Sequence, residues 1–514
     1  MARASSKRSG NDRKAAQVAL AGWMLLLLAV PRIVRLLYPQ VWIEDDFYLE
    51  DAYLASIGMR PYLDFVHPHM PLLEWFTAGY LRLFGASLFS IEVLNEAAIY
   101  ATSVMTCALA YKAAGRRTAI CAAILYAFAA LVFRYHVYER ECFLGVAVAA
   151  AALIALREDL DWMRQGAIQA ALFVIACAIK LTAIVPAAAM LCFLAFGRRH
   201  WRDAILAAAG IAAGLAAFSA ILYRWYGFEF VFQTFIFHFM KGRLPWLEVA
   251  DYPRAILDLL APLFIIGCVR IAAERRISPA LGLVLILVAF NYAFFGLLSP
   301  TSWGHNYLDF LPYVAIVAAI GLDRIWTAYR ASEWRITAAS LGLIAVSLLW
   351  LTPLVNENWM RGGVYGFGYF DRGEVHALSE ALRRISAPDD EVIAPSFICF
   401  EANRRQFTRY PETYGVYREA EEEFRKYGFF EARRRLGSAN FFELVEKTAG
   451  HWTGRAEHAV VDGEVNAVLP TPQDSFEPDF LMEHGFRPYL VTENFALWRR
   501  VPAAGRGSDQ PQGH

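Results

Sequence analysis

Charge is scarce in this chain of 514 residues: only 19% of them are Asp, Glu, Lys or Arg, against 57% hydrophobic, and the 49 basic and 49 acidic residues cancel. An ordinary soluble domain carries about a quarter charged residues, so this composition points to an integral membrane protein. The absence of a basic excess argues against a nucleic-acid partner, whose phosphates need a positive surface. No Gly-rich phosphate loop, zinc-ligand spacing or internal repeat interrupts the sequence, which argues against a P-loop nucleotide enzyme, a zinc module and a solenoid. The seven cysteines give no disulfide framework. Six are scattered through apolar segments, where Cys behaves as a small hydrophobe, and Cys399 has no evident partner.

Long hydrophobic blocks are what the chain has instead. They fall near 18–37, 90–111, 118–133, 142–156, 167–180, 183–196, 203–225, 255–272, 279–298, 308–326 and 335–353. At roughly 20 residues per crossing this makes a polytopic α-helical membrane protein of about eleven spans. The first block follows a basic segment, as a secretory signal would, but it runs through Pro31 and Arg35 without a small-residue cleavage site, so it reads as an uncleaved span. Basic loops at 111–117, 196–202, 273–276 and 323–335 alternate along the chain. The positive-inside rule puts them with the N-terminus in the cytoplasm of a bacterial-type inner or plasma membrane. The stretch 167–196 holds Lys180 and Pro186 and reads as two broken spans. A single long helix is the alternative, and it inverts everything downstream.

An odd number of spans leaves the tail outside. The chain then divides into a membrane domain over 1–353 and a soluble extracytoplasmic domain over 354–514. Charge is dense in the tail, and "EVIAPSF", "EHAVVDG" and "ENFALWRR" read as strands of an α/β or α+β domain.

The first outer loop, about 38–90, opens on Glu44, Asp45 and Asp46 in "VWIEDDFYLEDAYLASIGMRPYLDFVHPHMPLLEWF". Amphipathic helices lying on the membrane surface are expected here: one through Leu49, Ala52, Tyr53 and Ile57 stopped by Gly58, and one over 71–84 opened by Pro71. The acids suit helix caps, but a cap needs one acid, and consecutive carboxylates repel. "RYHVYERE" on the second outer loop adds Glu139 as a further acid, with Arg134 and Arg140 as anion partners. A plain solvated loop is the other reading of that stretch.

Acids after the first span, followed by Tyr48, Ala52, Gly58, Pro61, Tyr62, Asp64, Pro71 and Leu72, resemble the first outer loop of GT-C glycosyltransferases. The resemblance is to the dolichyl-phosphate-mannose protein mannosyltransferases and the bacterial transferases that attach aminoarabinose or galacturonic acid to lipid A. "AIKLTAIVPA" with Lys180, and "PTSWGHNYLDFLPYVAIVAAIGL" with His305, Asn306 and Tyr307, extend it over the membrane part. It implies an inverting transfer from a polyprenyl-phosphate sugar to a lipid, glycan or protein acceptor at the outer membrane surface, with an outer-loop carboxylate as general base.

Asp45 belongs to either alignment register, so it is the first candidate base, with Glu44 and Asp46 beside it. Lys180, His305, Asn306, Tyr307 and His69 are candidate ligands of the donor phosphate. Lys180 also suits a snorkelling lysine, and His305 and Tyr307 suit interfacial anchors. His69-Met70 stands where many relatives have Lys-Pro, and Glu92, Asn95 and Glu96 occupy a region where an arginine is common. No pattern requires a metal or other cofactor, although paired acids suit Mg²⁺ or Mn²⁺. A transporter or lipid flippase is the alternative function, with its acids coupling protons or substrate within the spans.

Overall fold

The computed structural model describes residues 22–37, 40–42, 47–132, 138, 140–240, 246–274, 277–299, 304–345, 369–406, 416–436, 467–468, 478–493 and 495–501. Within them every hydrophobic block falls on a helix. Helix α1 covers 22–37, strand β1 Gln40–Trp42, α2 Phe47–Ser56 and α3 Leu72–Phe84. Helices α4 Leu88–Ala114, α5 Arg116–Val132, α6 Arg140–Ala155 and α7 Trp162–Ile179 follow. Then come α8 Ile184–Cys192, α9 Trp201–Tyr226, the short α10 Phe228–Val231 and α11 Phe237–Met240, α12 Trp246–Ala273, α13 Pro279–Ala293 and α14 Leu311–Arg330, and α15 Trp334–Ala345. Four helices are long and apolar enough to cross a membrane by length and composition: Leu88–Ala114, Trp162–Ile179, Trp201–Tyr226 and Pro279–Leu298.

Capping residues set the helix starts. Ser87, Asp161 and Ser278 each accept a backbone amide of the first turn, from Ser90, Arg164 and Leu281, which satisfies donors that a helix start leaves open. The break expected at Lys180 is present. Lys180 is extended (φ −151°, ψ 125°), with a 3-10 turn, Leu181–Ala183, between it and α8.

The bundle has two distinguishable ends. At one, Arg117 lies 3.9 Å from Asp323, and the Ser278 hydroxyl donates to the Ala113 carbonyl at 3.0 Å, so three of the basic turns gather. At the other lie the first loop, the start of α6 and the break after α7. Helix α9 faces outward between them, with Trp201 and Trp225 exposed near its ends. Twenty-four residues apart, these two rings stand about 36 Å from each other, enough to bracket a hydrocarbon layer of roughly 30 Å with interfacial tryptophans.

Helix α14 is the centre of the bundle, and Leu311 through Ala319 are almost wholly buried. It crosses α12 backbone to backbone: a Cβ on Gly267 would strike the Val317 carbonyl, and one on Gly321 the Leu263 carbonyl. Small residues at such crossings let membrane helices pack closely. Buried ions tie α1 down. Arg32 donates to Glu96 at 2.8 Å and to the Ala127 carbonyl at 2.6 Å, while Glu92 receives Arg35 at 3.7 Å and Arg372 at 2.7 Å. The acids at 92 and 96 therefore serve as acceptors for arginines from elsewhere in the chain.

The tail supplies β2 Tyr369–Asp371, α16 Arg372–Ile385, β3 Glu391–Val392, α17 Ser396–Ala402, β4 Arg405–Gln406, α18 Val416–Leu436, β5 Ala467–Val468, β6 Phe486–Val491 and β7 Ala496–Arg500. Strands are found in "EVIAPSF" and "ENFALWRR", although the former turns helical at Ser396. "EHAVVDG" lies outside the described residues. Strands β5, β7 and β6 form an antiparallel sheet in that order.

The tail does not stand apart from the first loop. Strand β2 pairs with β1, and Leu378, Phe397, Ile398 and Phe400 share one core with Leu49, Tyr53 and Leu73. Helix α2 consequently does not lie on a membrane surface as its apolar pattern suggested. Tyr48 through Ala55 are all buried, because α3 covers one side and α17 another. Its stop at Gly58 (φ +96°) and the start of α3 after Pro71 are as expected.

Candidate active site

The first loop is held by charges closed away from water. His67 sits between two carboxylates, with Nδ1 2.7 Å from Asp51 Oδ2 and Nε2 3.3 Å from Glu74 Oε2. Arg140 donates to the other Glu74 oxygen at 2.5 Å. None of these four side chains is more than 1% exposed. Burial opposes the imidazolium, yet Glu74 and Asp51 outweigh it and raise His67 to about 9. Burial likewise opposes the Glu74 carboxylate, but Arg140 and His67 hold it below its usual range. For Asp51 burial prevails over His67, and its pKa is raised.

The segment between α2 and α3 folds around this network. The Gln233 amide accepts from the His67 backbone at 2.8 Å and donates to the Tyr62 carbonyl at 2.9 Å. Tyr62, at φ +68°, donates to the His69 carbonyl at 2.6 Å. Tyr48 lays its ring over the Arg140 guanidinium at 4.3 Å and bonds through its hydroxyl to His69 Nε2 at 3.1 Å.

Next along α6, Glu141 turns the other way. It accepts from the ammonium of Lys180, which also donates to Asn306 Oδ1 at 2.9 Å. Asn306 lies in the 3-10 turn Gly304–Phe310 that precedes α14. Residues three apart eclipse in such a turn, so Asp309 stands on the same face; it is 3% exposed, and its Oδ1 has no hydrogen-bond partner. One lysine thus meets acceptors from two other parts of the bundle, at the end that carries the first loop.

The structure brings together Lys180 and Asn306, residues singled out in the sequence although they are 126 positions apart. His69 lies nearby, but burial and the charges of Arg140, His238, His67 and Lys180 push it well below its ordinary pKa. As a neutral ring it offers a hydrogen bond and no cation. Arg140 is not on a solvated loop: it opens α6 fully buried and is committed to Glu74, because an unpaired guanidinium inside the fold would be prohibitive. Glu44, Asp45, Asp46, Arg134 and Glu139 lie outside the described residues, as do the side chains of His305 and Tyr307.

Sequence reasoning missed Asp51, His67, Glu74, Glu141 and Asp309. The available signal was an acid inside an apolar helical run, as in "PLLEWF" and "YLDF", where burial demands a partner. Among the described residues no three His, Cys, Asp or Glu side chains form a metal-binding group.

Comparison with known proteins gives this geometry its context. The family model described as dolichyl-phosphate-mannose-protein mannosyltransferase matches residues 66–224, a stretch that holds His67, Glu74, Arg140, Glu141 and Lys180. ArnT from Cupriavidus metallidurans bound to undecaprenyl phosphate superposes with a TM-score of 0.59 at 12% identity, over 94% of this chain and 98% of that one. The chain shares the fold of this ArnT over nearly its whole length. The apo state of the same ArnT gives 0.60 at 12% identity over 95% and 98% of the two chains. No curated protein sequence matches the chain significantly. The family match covers Pro71, Leu72 and Lys180 of the residues that carried the resemblance but begins after the acid cluster, and the fold is shared over nearly the whole chain.

Proposed function

We propose that this protein transfers a sugar from a polyprenyl-phosphate donor to an acceptor hydroxyl, with inversion at the anomeric carbon. The observation that carries this reading is Lys180: an ammonium at a helix break, meeting Asn306 at the end of the bundle that carries the first loop. Undecaprenyl phosphate bound to the similar ArnT fold is the kind of ligand such a place suits. In the reaction, the acceptor oxygen bonds to the anomeric carbon from the face opposite the phosphate. The carbon–oxygen bond to the phosphate breaks, its electron pair stays on the phosphate oxygen, and the hydroxyl proton passes to a carboxylate. Lys180 meets the growing phosphate charge by turning from Glu141, and Asn306 fixes its direction. Asp45 is the proposed base, with Glu44 and Asp46 orienting it or binding acceptor hydroxyls; His305 and Tyr307 are proposed to line the phosphate. The acceptor is a lipid, glycan or protein, and the pentose or hexose is to be named by mass spectrometry of envelope glycans in cells with and without the gene.

Asn caps helices as well as Asp does, so Asp45→Asn separates catalysis from capping. Transfer falls by roughly 10² to 10⁴ if Asp45 is the base, with donor binding kept. Wild-type transfer in Asp45→Asn, Glu44→Gln and Asp46→Asn alike would leave the acids as caps. The same assays with a chelator show whether Mg²⁺ or Mn²⁺ takes part. The proposed orientation has basic turns in the cytoplasm and the first loop and tail outside. A reporter active only when exported, fused after Trp350, reads it: activity supports the orientation, and silence beside an active cytoplasmic reporter reverses it.

A further inference from the structure

Helix α18 is amphipathic in an unusual way, with its two halves facing different neighbours. Its first half docks on the segment that follows α9. Phe424 stacks on Phe228 at 5.9 Å and meets Phe232 at 4.9 Å, Tyr417 packs on Phe232 and Phe237, and Arg425 reaches Glu229 at 3.3 Å. These partners adjoin the exposed rings of Tyr223, Trp225, Phe228 and Phe239, the girdle where α9 leaves the bilayer. The docked half of α18 is therefore held at the level of the lipid–water boundary.

After Gly428 (φ +73°) the chain changes direction. Ala432 and Leu436 turn inward, whereas Phe430 is 85% exposed and shares its face with Arg433 and Arg434, three and four positions on. Beyond the kink one acid, Glu431, stands against three arginines at 433–435; it pairs with Arg434 at 2.6 Å on the surface, an exposed pair that a phosphate can replace, while Arg435 reaches Glu423 at 3.4 Å. Lys426 and Arg435 both lie on the Tyr427 ring, at 4.9 and 4.2 Å. An exposed phenylalanine flanked by arginines, fixed beside an aromatic girdle, fits the headgroup region, where rings enter the acyl boundary and guanidinium groups meet phosphates.

We infer that the second half of α18 is a membrane-surface anchor: Phe430 enters the lipid boundary, and Arg433 and Arg434 bind anionic headgroups on the side of the bilayer that carries the first loop. This fastens a second part of the tail to the bilayer independently of its contacts with the first loop, and independently of the reaction proposed above.

The test uses the full chain in nanodiscs of phosphatidylcholine, alone or with a quarter phosphatidylglycerol, and in detergent. Hydrogen exchange over 424–436 should slow by up to about 25-fold on adding the anionic lipid, since each of the two arginines at such a surface is worth roughly five-fold in occupancy. Arg433→Glu with Arg434→Glu should erase the difference while the bundle helices exchange as before. A photo-crosslinker at position 430 should capture lipid. Equal exchange in all three media, or crosslinks only to another part of the chain or to a second copy, would overturn the anchor.

Discussion

Two charge clusters begin at neighbouring residues and behave differently. Arg140 faces the first loop, where Asp51, His67 and Glu74 set two negative charges against two positive in a space closed to water. Glu141 faces the spans, where it and Asp309 meet the single ammonium of Lys180. The first cluster is balanced, and every member has a charged partner. Among the described residues the second sets two acids, Glu141 and Asp309, against one cation. A balanced buried network specifies a conformation, and its members are expensive to remove singly. An unbalanced one is poised to exchange partners, as the proposed phosphate site requires.

Removing one member of the balanced cluster is the largest perturbation. Arg140→Met should lose about 3 to 5 kcal/mol of stability, read as a lowered thermal midpoint in detergent. A midpoint unchanged in Arg140→Met would mean that the loop network does not hold the fold. Titration is the next lever. His67 has a folded pKa of about 9 against roughly 6.5 unfolded, so its contribution is complete below the lower value and lost as pH rises through the higher one. That window is worth about 3 kcal/mol. The thermal midpoint should therefore fall between pH 6.5 and 9.5, and His67→Gln should flatten that decline; an equally steep decline in the variant would remove His67 from the balance.

The second cluster should respond in function instead. Lys180→Met together with Glu141→Gln removes one charge of each sign, so the protein should fold. Affinity for undecaprenyl phosphate should nevertheless drop by the value of a charge-assisted contact, about 1.5 to 3 kcal/mol. Wild-type affinity in calorimetry of this variant would return Lys180 to a purely structural role.

What the sequence disclosed follows the range of the physics involved. The break at Lys180 was legible because a lysine and a proline within an apolar run oppose a continuous span, and the stop at Gly58 and the start at Pro71 because backbone chemistry is local. The convergence of Lys180 and Asn306 was legible through a family pattern, since nothing between them in sequence specifies it. The burial of α2 was hidden: its apolar positions announce one covered face, and the second cover comes from α17, in a segment that reads as an independent domain. The commitment of Arg140 was hidden for a similar reason: the sequence offers it as an anion partner or as part of a solvated loop, and its partner Glu74 lies in a different loop. A buried acid inside an apolar helix was the clue that both misreadings overlooked.

The joining of the first loop to the tail has a consequence for biosynthesis. The Glu50 carboxylate accepts the Gln406 amide, 356 residues downstream, and β1 waits for β2 to complete its pairing. A ribosome adding about 5 to 20 residues per second needs roughly 20 to 70 s to cover that interval. For that time β1 and α2 have been made without the strand and helix of the tail that cover them. The nascent protein is thus assembled from its middle outward, and its earliest extramembrane segment is among the last to acquire its final form.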